Sequence, residues 1–166
     1  RASGCEASSI RASVPAMDSD VERVAEPDGH RVTVYGHDRV LAALRRALFL
    51  GRGSQSYLLV GPPGIGKRTV GLWLAQALLC EGAEPDDRPC GACRMCRLVE
   101  RGQCADVHVA GTPLRVDEVR ATARVLSLAP SEARCRVALV PDVDAASIAA
   151  ANALLKTLEE PPPQST

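Results

Sequence analysis

The stretch Gly61-Pro-Pro-Gly-Ile-Gly-Lys67 is the part of this chain best suited to chemistry. Glycines at 61, 64 and 66 let the backbone curl so that its N–H groups meet phosphate oxygens. A helix opening at Lys67 adds the partial positive charge of its N-terminus, and the Lys67 amine reaches the outer phosphates. The next residue in such a loop is normally Ser or Thr, whose hydroxyl ligates Mg²⁺, but here it is Arg68. Thr69 does not replace it, because one step along a helix turns a side chain by about 100°. The pattern predicts a cradle for ATP formed by Gly61, Gly64, Ile65, Gly66, Lys67, Arg68 and Thr69, without normal Mg²⁺ ligation.

A second acidic motif is expected to close the strand at 136–140, with one carboxylate for Mg²⁺ and another to polarise the attacking water. Register from the strand end puts Pro141 at the metal-ligand position and Asp142 at the catalytic one, while Asp144 reads as a solvated helix-start residue. Arg68 and Pro141 both remove magnesium chemistry and together argue against efficient hydrolysis. Asp142 is the only catalytic candidate.

Cys80, Cys90, Cys93 and Cys96 follow C-x9-C-x2-C-x2-C, with Gly91 allowing a tight turn between ligands. Four thiolates in a loop-rich segment suit a closed tetrahedral Zn²⁺ site, which has no open position for substrate and is therefore structural. An iron–sulfur cluster is the rival, although Glu100 stands where a further ferredoxin-type cysteine would fall. Free thiols are the third reading. Cys104 is a spare ligand; Cys5 and Cys135 look unrelated.

These residues need a scaffold. Val40, Leu41, Leu44 and Leu48 share one face of a helix predicted over 38–50, with Asp38 as N-cap and Gly51 as stop. Residues 57–60 read as a short buried parallel strand, followed by a helix over 67–79. Residues 80–104, rich in Gly, Pro, Arg and Cys, read as an insertion rather than as sheet or long helix. Strand 106–110, helix 116–128, strand 136–140 and helix 147–159 follow, closed by Pro161, Pro162 and Pro163. Alternating strands and helices imply an α/β class with a parallel sheet covered on both faces.

With 166 residues, the chain suits one domain. Residues 1–31 lack periodicity and read as a flexible lead-in, partly upstream of the true start; 32–166 read as a partial domain, truncated where another strand is expected. Basic and acidic residues both number 20, so a nucleic-acid contact must come from a local patch. Aromatics are 2%, which argues against stacking platforms for single-stranded bases. The absence of a long apolar run or signal-type start, together with clustered cysteines, reads as cytoplasmic, with no membrane contact. Only Lys67 and Lys156 are lysines, and both lie in motifs.

The Gly61 to Lys67 loop, the four-cysteine insertion after its helix, and Ala149-Ala-Ala-Asn-Ala-Leu-Leu-Lys-Thr-Leu-Glu-Glu-Pro-Pro162 together resemble the bacterial DNA polymerase III clamp-loader subunits, which are AAA+ proteins. The resemblance covers about residues 34–166. It implies an AAA+ P-loop sheet and a ring partnered by gamma or tau and delta subunits, which opens a sliding clamp and places it on primed DNA. Within that family, motor subunits keep the hydroxyl after the lysine and an Asp-Glu pair; Arg68, Pro141-Asp142 and Val116-Asp-Glu-Val-Arg120 are similar to the non-hydrolysing delta-prime pattern instead. Two alternatives remain: an active gamma/tau-type ATPase, and a zinc-dependent nucleic-acid-binding module. The resemblance also places His37 by the adenine. Asn152 and Lys156, one helical turn apart, suit either a phosphate contact or plain helix packing.

Overall fold

The computed structural model describes residues 32–50, 53–82, 84 and 87–166. The lead-in at 1–31, with Cys5 and Met17, and the expected stop Gly51 lie outside them. Helix α1 spans Asp38–Phe49. Its N-cap is His37, in the left-handed region at φ 61°, so Asp38 occupies the first helical position rather than the cap. There its carboxylate complements the helix dipole, as Arg46 does in the last turn. Helix α2, Lys67–Leu79, starts after Gly66 at φ 94°, a conformation that strongly favours glycine, and ends at Cys80 in extended backbone.

Helix α3, Arg94–Glu100, is a seven-residue helix within the segment read as an insertion rather than as sheet or long helix. Its N-cap is Cys93, whose Sγ accepts the Cys96 N–H at 3.4 Å. Strand β1 is Val107–Val109, α4 is Val116–Ser127, and β2 is Val137–Leu139. A 3₁₀ turn at Val143–Ala145 leads into α5, Ile148–Glu159, capped by Ser147 Oγ accepting the Ala150 N–H at 3.2 Å.

The expected parallel sheet with helices on both faces is corrected by the structure. Among the described residues the sheet has two strands, β1 and β2, parallel with Val107 opposite Val137 and Val109 opposite Leu139. An isolated bridge joins Arg136 to Ser165 along the other edge of β2, so pairing beyond β2 begins within residues 164–166 and not after Thr166. The domain is mostly helical and its sheet is open. Residues 57–60 form no strand; Leu58 and Val60 are 67% and 63% exposed. An apolar run shows a preference for burial, whereas a strand requires a neighbour's N–H and C=O groups about 4.7–4.9 Å away. That neighbour is nonlocal, and the run carries no sign of it. An AAA+ sheet is therefore not the architecture seen here.

Helix α2 is the hub. Val70, Trp73, Leu74 and Ala77 pack with Leu41 of α1 and with Val32 and Val34, while Ala75 and Leu79 pack with Met95 and Val99 of α3, Cys104 and Val137. Arg45 lies over the Trp73 ring, 5.2 Å from its centroid, a cation–π contact across α1 and α2. A third cluster joins Ala110, Leu114 and Val119 to Ala150 of α5. Gly71 lets α2 approach β2 closely: a Cβ there would lie 3.2 Å from Leu139 Cδ2.

Asp106, buried at the start of β1, organises the turn that feeds β2. Its Oδ1 accepts the Ser131 N–H at 2.7 Å, and its Oδ2 accepts those of Glu132 and Ala133 at 2.9 and 2.8 Å. The Arg136 guanidinium lies 3.6 Å away and also donates to the Leu128 and Ala129 carbonyls. Burial alone pushes the Asp106 carboxyl up, but the three N–H donors and Arg136 outweigh it and hold the group below its ordinary value.

Candidate functional site

The glycine loop lies between residues 57–60 and α2. Gly64 and Gly66 have φ of 78° and 94°, and a Cβ on Gly61 would lie 3.2 Å from Ile65 Cγ2. These constraints account for the glycines as loop geometry. Lys67 Nζ donates to the Gly61 and Pro62 carbonyls at 2.9 and 3.1 Å, so its amine is folded over the loop. Arg68 is exposed and Thr69 half-buried, on successive positions of the first turn of α2. His37 Nε2 lies 2.8 Å from the Ile65 carbonyl, tying the entry to α1 onto the loop. His37, Val40, Leu59, Ile65, Lys67 and Val70 line an open, mainly apolar cleft beside it.

Past β2, Pro141 is half-buried and Asp142 is exposed at φ 50°, capping the 3₁₀ turn through its carbonyl, which accepts the Ala145 N–H at 3.0 Å. Asp144 is exposed in that turn. Asn152 and Lys156 are exposed on α5.

The second site is built from the end of one helix and the start of the next. Helix α2 delivers Cys80 as it ends, Gly91 at φ 73° turns the chain after Cys90, and α3 presents Cys93 at its cap and Cys96 in its first turn. The four Sγ atoms lie within 4.8 Å of one another, and Cys90 and Cys96 are 3.9 Å apart. Zn–S bonds of about 2.3 Å in a tetrahedron place sulfurs ~3.8 Å apart, so the donor set fits one such ion. Backbone N–H groups point at the sulfurs: Gly82 and Cys90 donate to Cys80 Sγ at 3.3 and 3.4 Å, and Cys93 donates to Cys90 Sγ at 3.4 Å. Such bonds orient ligands and stabilise thiolates.

Burial pushes the Cys80 and Cys96 thiols up. At Cys90 burial also raises, but N–H groups of Cys93 and Ala92 and the neighbouring thiols outweigh it and bring the group down to about 6. Cys104 and Cys135 are not in the cluster. Cys104 is buried in the core with Leu79 and Met95, and Cys135 packs against that core; burial raises both thiols. Sequence reasoning missed Gln76, whose side chain bonds the Cys96 carbonyl from α2. Its one signal is a lone amide within the apolar run from Gly71 to Leu79.

The family model described as "DNA polymerase III, delta subunit" matches residues 36–166. DNA polymerase III subunit tau of Bacillus subtilis (strain 168) is 39% identical over 131 residues, covering 78% of this chain and 23% of that protein. Subunit gamma of Buchnera aphidicola subsp. Acyrthosiphon pisum (strain APS) is 37% identical over 131 residues, 78% of this chain and 36% of that protein. Subunit delta' of Pseudomonas aeruginosa is 38% identical over 113 residues, 65% of this chain and 34% of that protein. The chain thus spans about a quarter to a third of the length of these relatives. No helix among the described residues is long and apolar enough to cross a membrane. Matched over most of its length by this family model and by these relatives, the chain belongs to the bacterial DNA polymerase III clamp-loader subunit family that includes tau, gamma and delta-prime.

Proposed function

We propose that the chain is part of a delta-prime type subunit, a largely non-hydrolysing member of the clamp-loader ring. In this reading it works in the cytoplasm with gamma or tau and delta subunits to place a sliding clamp on primed DNA. Arg68 carries the proposal: an exposed guanidinium stands on the first turn of α2 where magnesium-dependent chemistry needs a hydroxyl. Pro141, lacking a carboxylate after β2, supports it independently. Gly61, Gly64, Ile65, Gly66, Lys67, Arg68 and Thr69 form the nucleotide cradle, with His37 beside it. Lys67 would exchange its two loop carbonyls for phosphate oxygens, a cost that fits weak or magnesium-independent binding. Cys80, Cys90, Cys93 and Cys96 hold one structural zinc that fixes residues 80–104.

One observation favours a gamma/tau-type ATPase using Asp142 or Asp144 for its metal. The tau and gamma relatives named above align over 131 residues and the delta' relative over 113, at nearly equal identity. Phosphate release from the full-length subunit, alone and within the assembled loader, separates the two readings. The expected result is no turnover attributable to this subunit. Magnesium-dependent turnover abolished by Lys67→Ala would establish the ATPase instead.

A further inference from the structure

Two arginines from distant parts of the chain bracket Cys80, the first of the four clustered cysteines. On one side, Arg134 Nε donates to the Leu78 carbonyl at 2.6 Å, in the last turn of α2. On the other, Arg88 Nε and Nη2 donate to the Gly82 carbonyl at 3.4 and 3.1 Å. Gly82 belongs to the site itself: its N–H donates to Cys80 Sγ at 3.3 Å, and a Cβ there would lie 3.2 Å from that sulfur and 3.4 Å from Cys90 Sγ. Both guanidiniums are thus anchored on the backbone that flanks Cys80, and they lie close enough to repel. Crowding around the Arg134 head and the Arg88 charge both loosen its proton, whereas the sulfurs of Cys135 and Cys80 tighten it. Two like charges brought to one turn favour an anion beside them.

We propose that Arg134 and Arg88 are positioning residues that supply the counter-charge of the four-cysteine site and so set how tightly it holds its metal. The inference rests on the zinc reading given above. Ligation requires all four thiols as thiolates, and four of them with one Zn²⁺ carry a net charge of about −2. Backbone N–H groups of Gly82, Cys90, Cys93 and Cys96 meet the sulfurs as dipoles, but bring no whole charge. Arg94 of α3 pairs instead with Glu132 at 2.9 Å and also answers Glu81. Two plainer roles make different demands. Capping the Leu78 carbonyl at the end of α2 needs a donor from Arg134, not a charge. Pairing with the exposed Glu84 and Asp87 of the same loop needs a charge, but leaves zinc affinity alone.

The test is zinc affinity of the full-length protein, measured by competition with a chromophoric chelator. Metal analysis is made on the same samples. Arg134→Gln keeps a donor for the Leu78 carbonyl but removes the charge, and should weaken zinc binding by about tenfold, the lower end for an outer-shell partner. Arg134→Lys keeps the charge and should stay within about threefold of wild type. Arg88→Gln should weaken binding in the same direction as Arg134→Gln. The ratio of wild type to Arg134→Gln should shrink as salt rises from about 0.05 to about 1 M, because salt screens the attraction that the variant lacks. Equal weakening in Arg134→Gln and Arg134→Lys, or a ratio that salt does not move, would overturn the proposal as the mark of a shape or capping role. Unchanged zinc affinity in both Gln variants would overturn it as well, and assign the two charges to the loop carboxylates. Should Arg134→Gln fail to fold, Arg88→Gln carries the same expectation and the same refutation. Protein that neither contains zinc nor takes it up overturns the metal reading itself, a result the metal analysis gives before any affinity is measured.

Discussion

Replacing Asp106 tests whether one buried carboxylate holds the turn before β2. In Asp106→Ala, the N–H groups of Ser131, Glu132 and Ala133 lose their acceptor and Arg136 loses its counter-charge. Removing one partner of a buried charge pair costs about 3–5 kcal/mol, because what remains is an uncompensated buried group. The Arg136 guanidinium keeps the Leu128 and Ala129 carbonyls, which places the expected loss near the middle of that range, at about 4 kcal/mol. Asp106→Asn retains one acceptor oxygen but turns an NH₂ toward backbone donors, for an expected loss of about 2–3 kcal/mol. Urea unfolding of the full-length protein, followed by circular dichroism, measures both. The pH dependence has a definite sign. The folded carboxyl lies below its ordinary value of 3.8, so its contribution is complete above that value and disappears as pH falls through the lower folded value. The gap between wild type and Asp106→Asn should therefore be flat from neutral pH down to about 5 and narrow below about 4. A loss under about 1 kcal/mol for Asp106→Ala, or a gap that widens in acid, would refute the account.

Two further substitutions test other parts of the structure. Cys93→Ser should abolish binding of about one zinc per chain, because a neutral hydroxyl is a poor substitute for thiolate, whereas Cys104→Ser should keep the metal and lose stability by burying a hydroxyl; plasma emission analysis of both proteins decides. Ser147→Ala removes the acceptor for the Ala150 N–H and should cost about 1 kcal/mol in urea unfolding, with no change in metal content.

Helix α2 was legible from end to end, because Gly66 and Cys80 bracket an apolar run of helical length. The predicted strands around residues 107–109 and 137–139 form and pair in parallel, since each carries β-branched residues between turn signals. Residues 57–60 look the same in sequence and form no strand, because pairing is a property of two segments and the run describes one. Helix α3 was hidden for another reason. Its N-cap is a cysteine, outside the usual Ser, Thr, Asp and Asn, and its turns are dense with Arg and Cys that pattern reading assigns to loop. The clustering of Cys80, Cys90, Cys93 and Cys96 was legible from spacing alone, and the exclusion of Cys104 came from its place in the core. Asp106 appeared only as the first residue of a strand; its three N–H donors are 25 to 27 residues away, beyond any local pattern.

Helix α2 runs unbroken for 13 residues from Lys67 on the glycine loop to Leu79, with Cys80 next in line. At about 1.5 Å and 100° per residue, it is a ruler of roughly 20 Å with a fixed angular setting between its ends. Deleting or inserting one residue anywhere along it would swing Cys80 by about 100° away from the other three sulfurs, or carry Lys67 round from the loop by the same angle. Loops absorb such changes of length; this rod cannot. The spacing from Lys67 to Cys80 is thus set to the residue, and a chain of this family with a different spacing would have to place its first cysteine by another route.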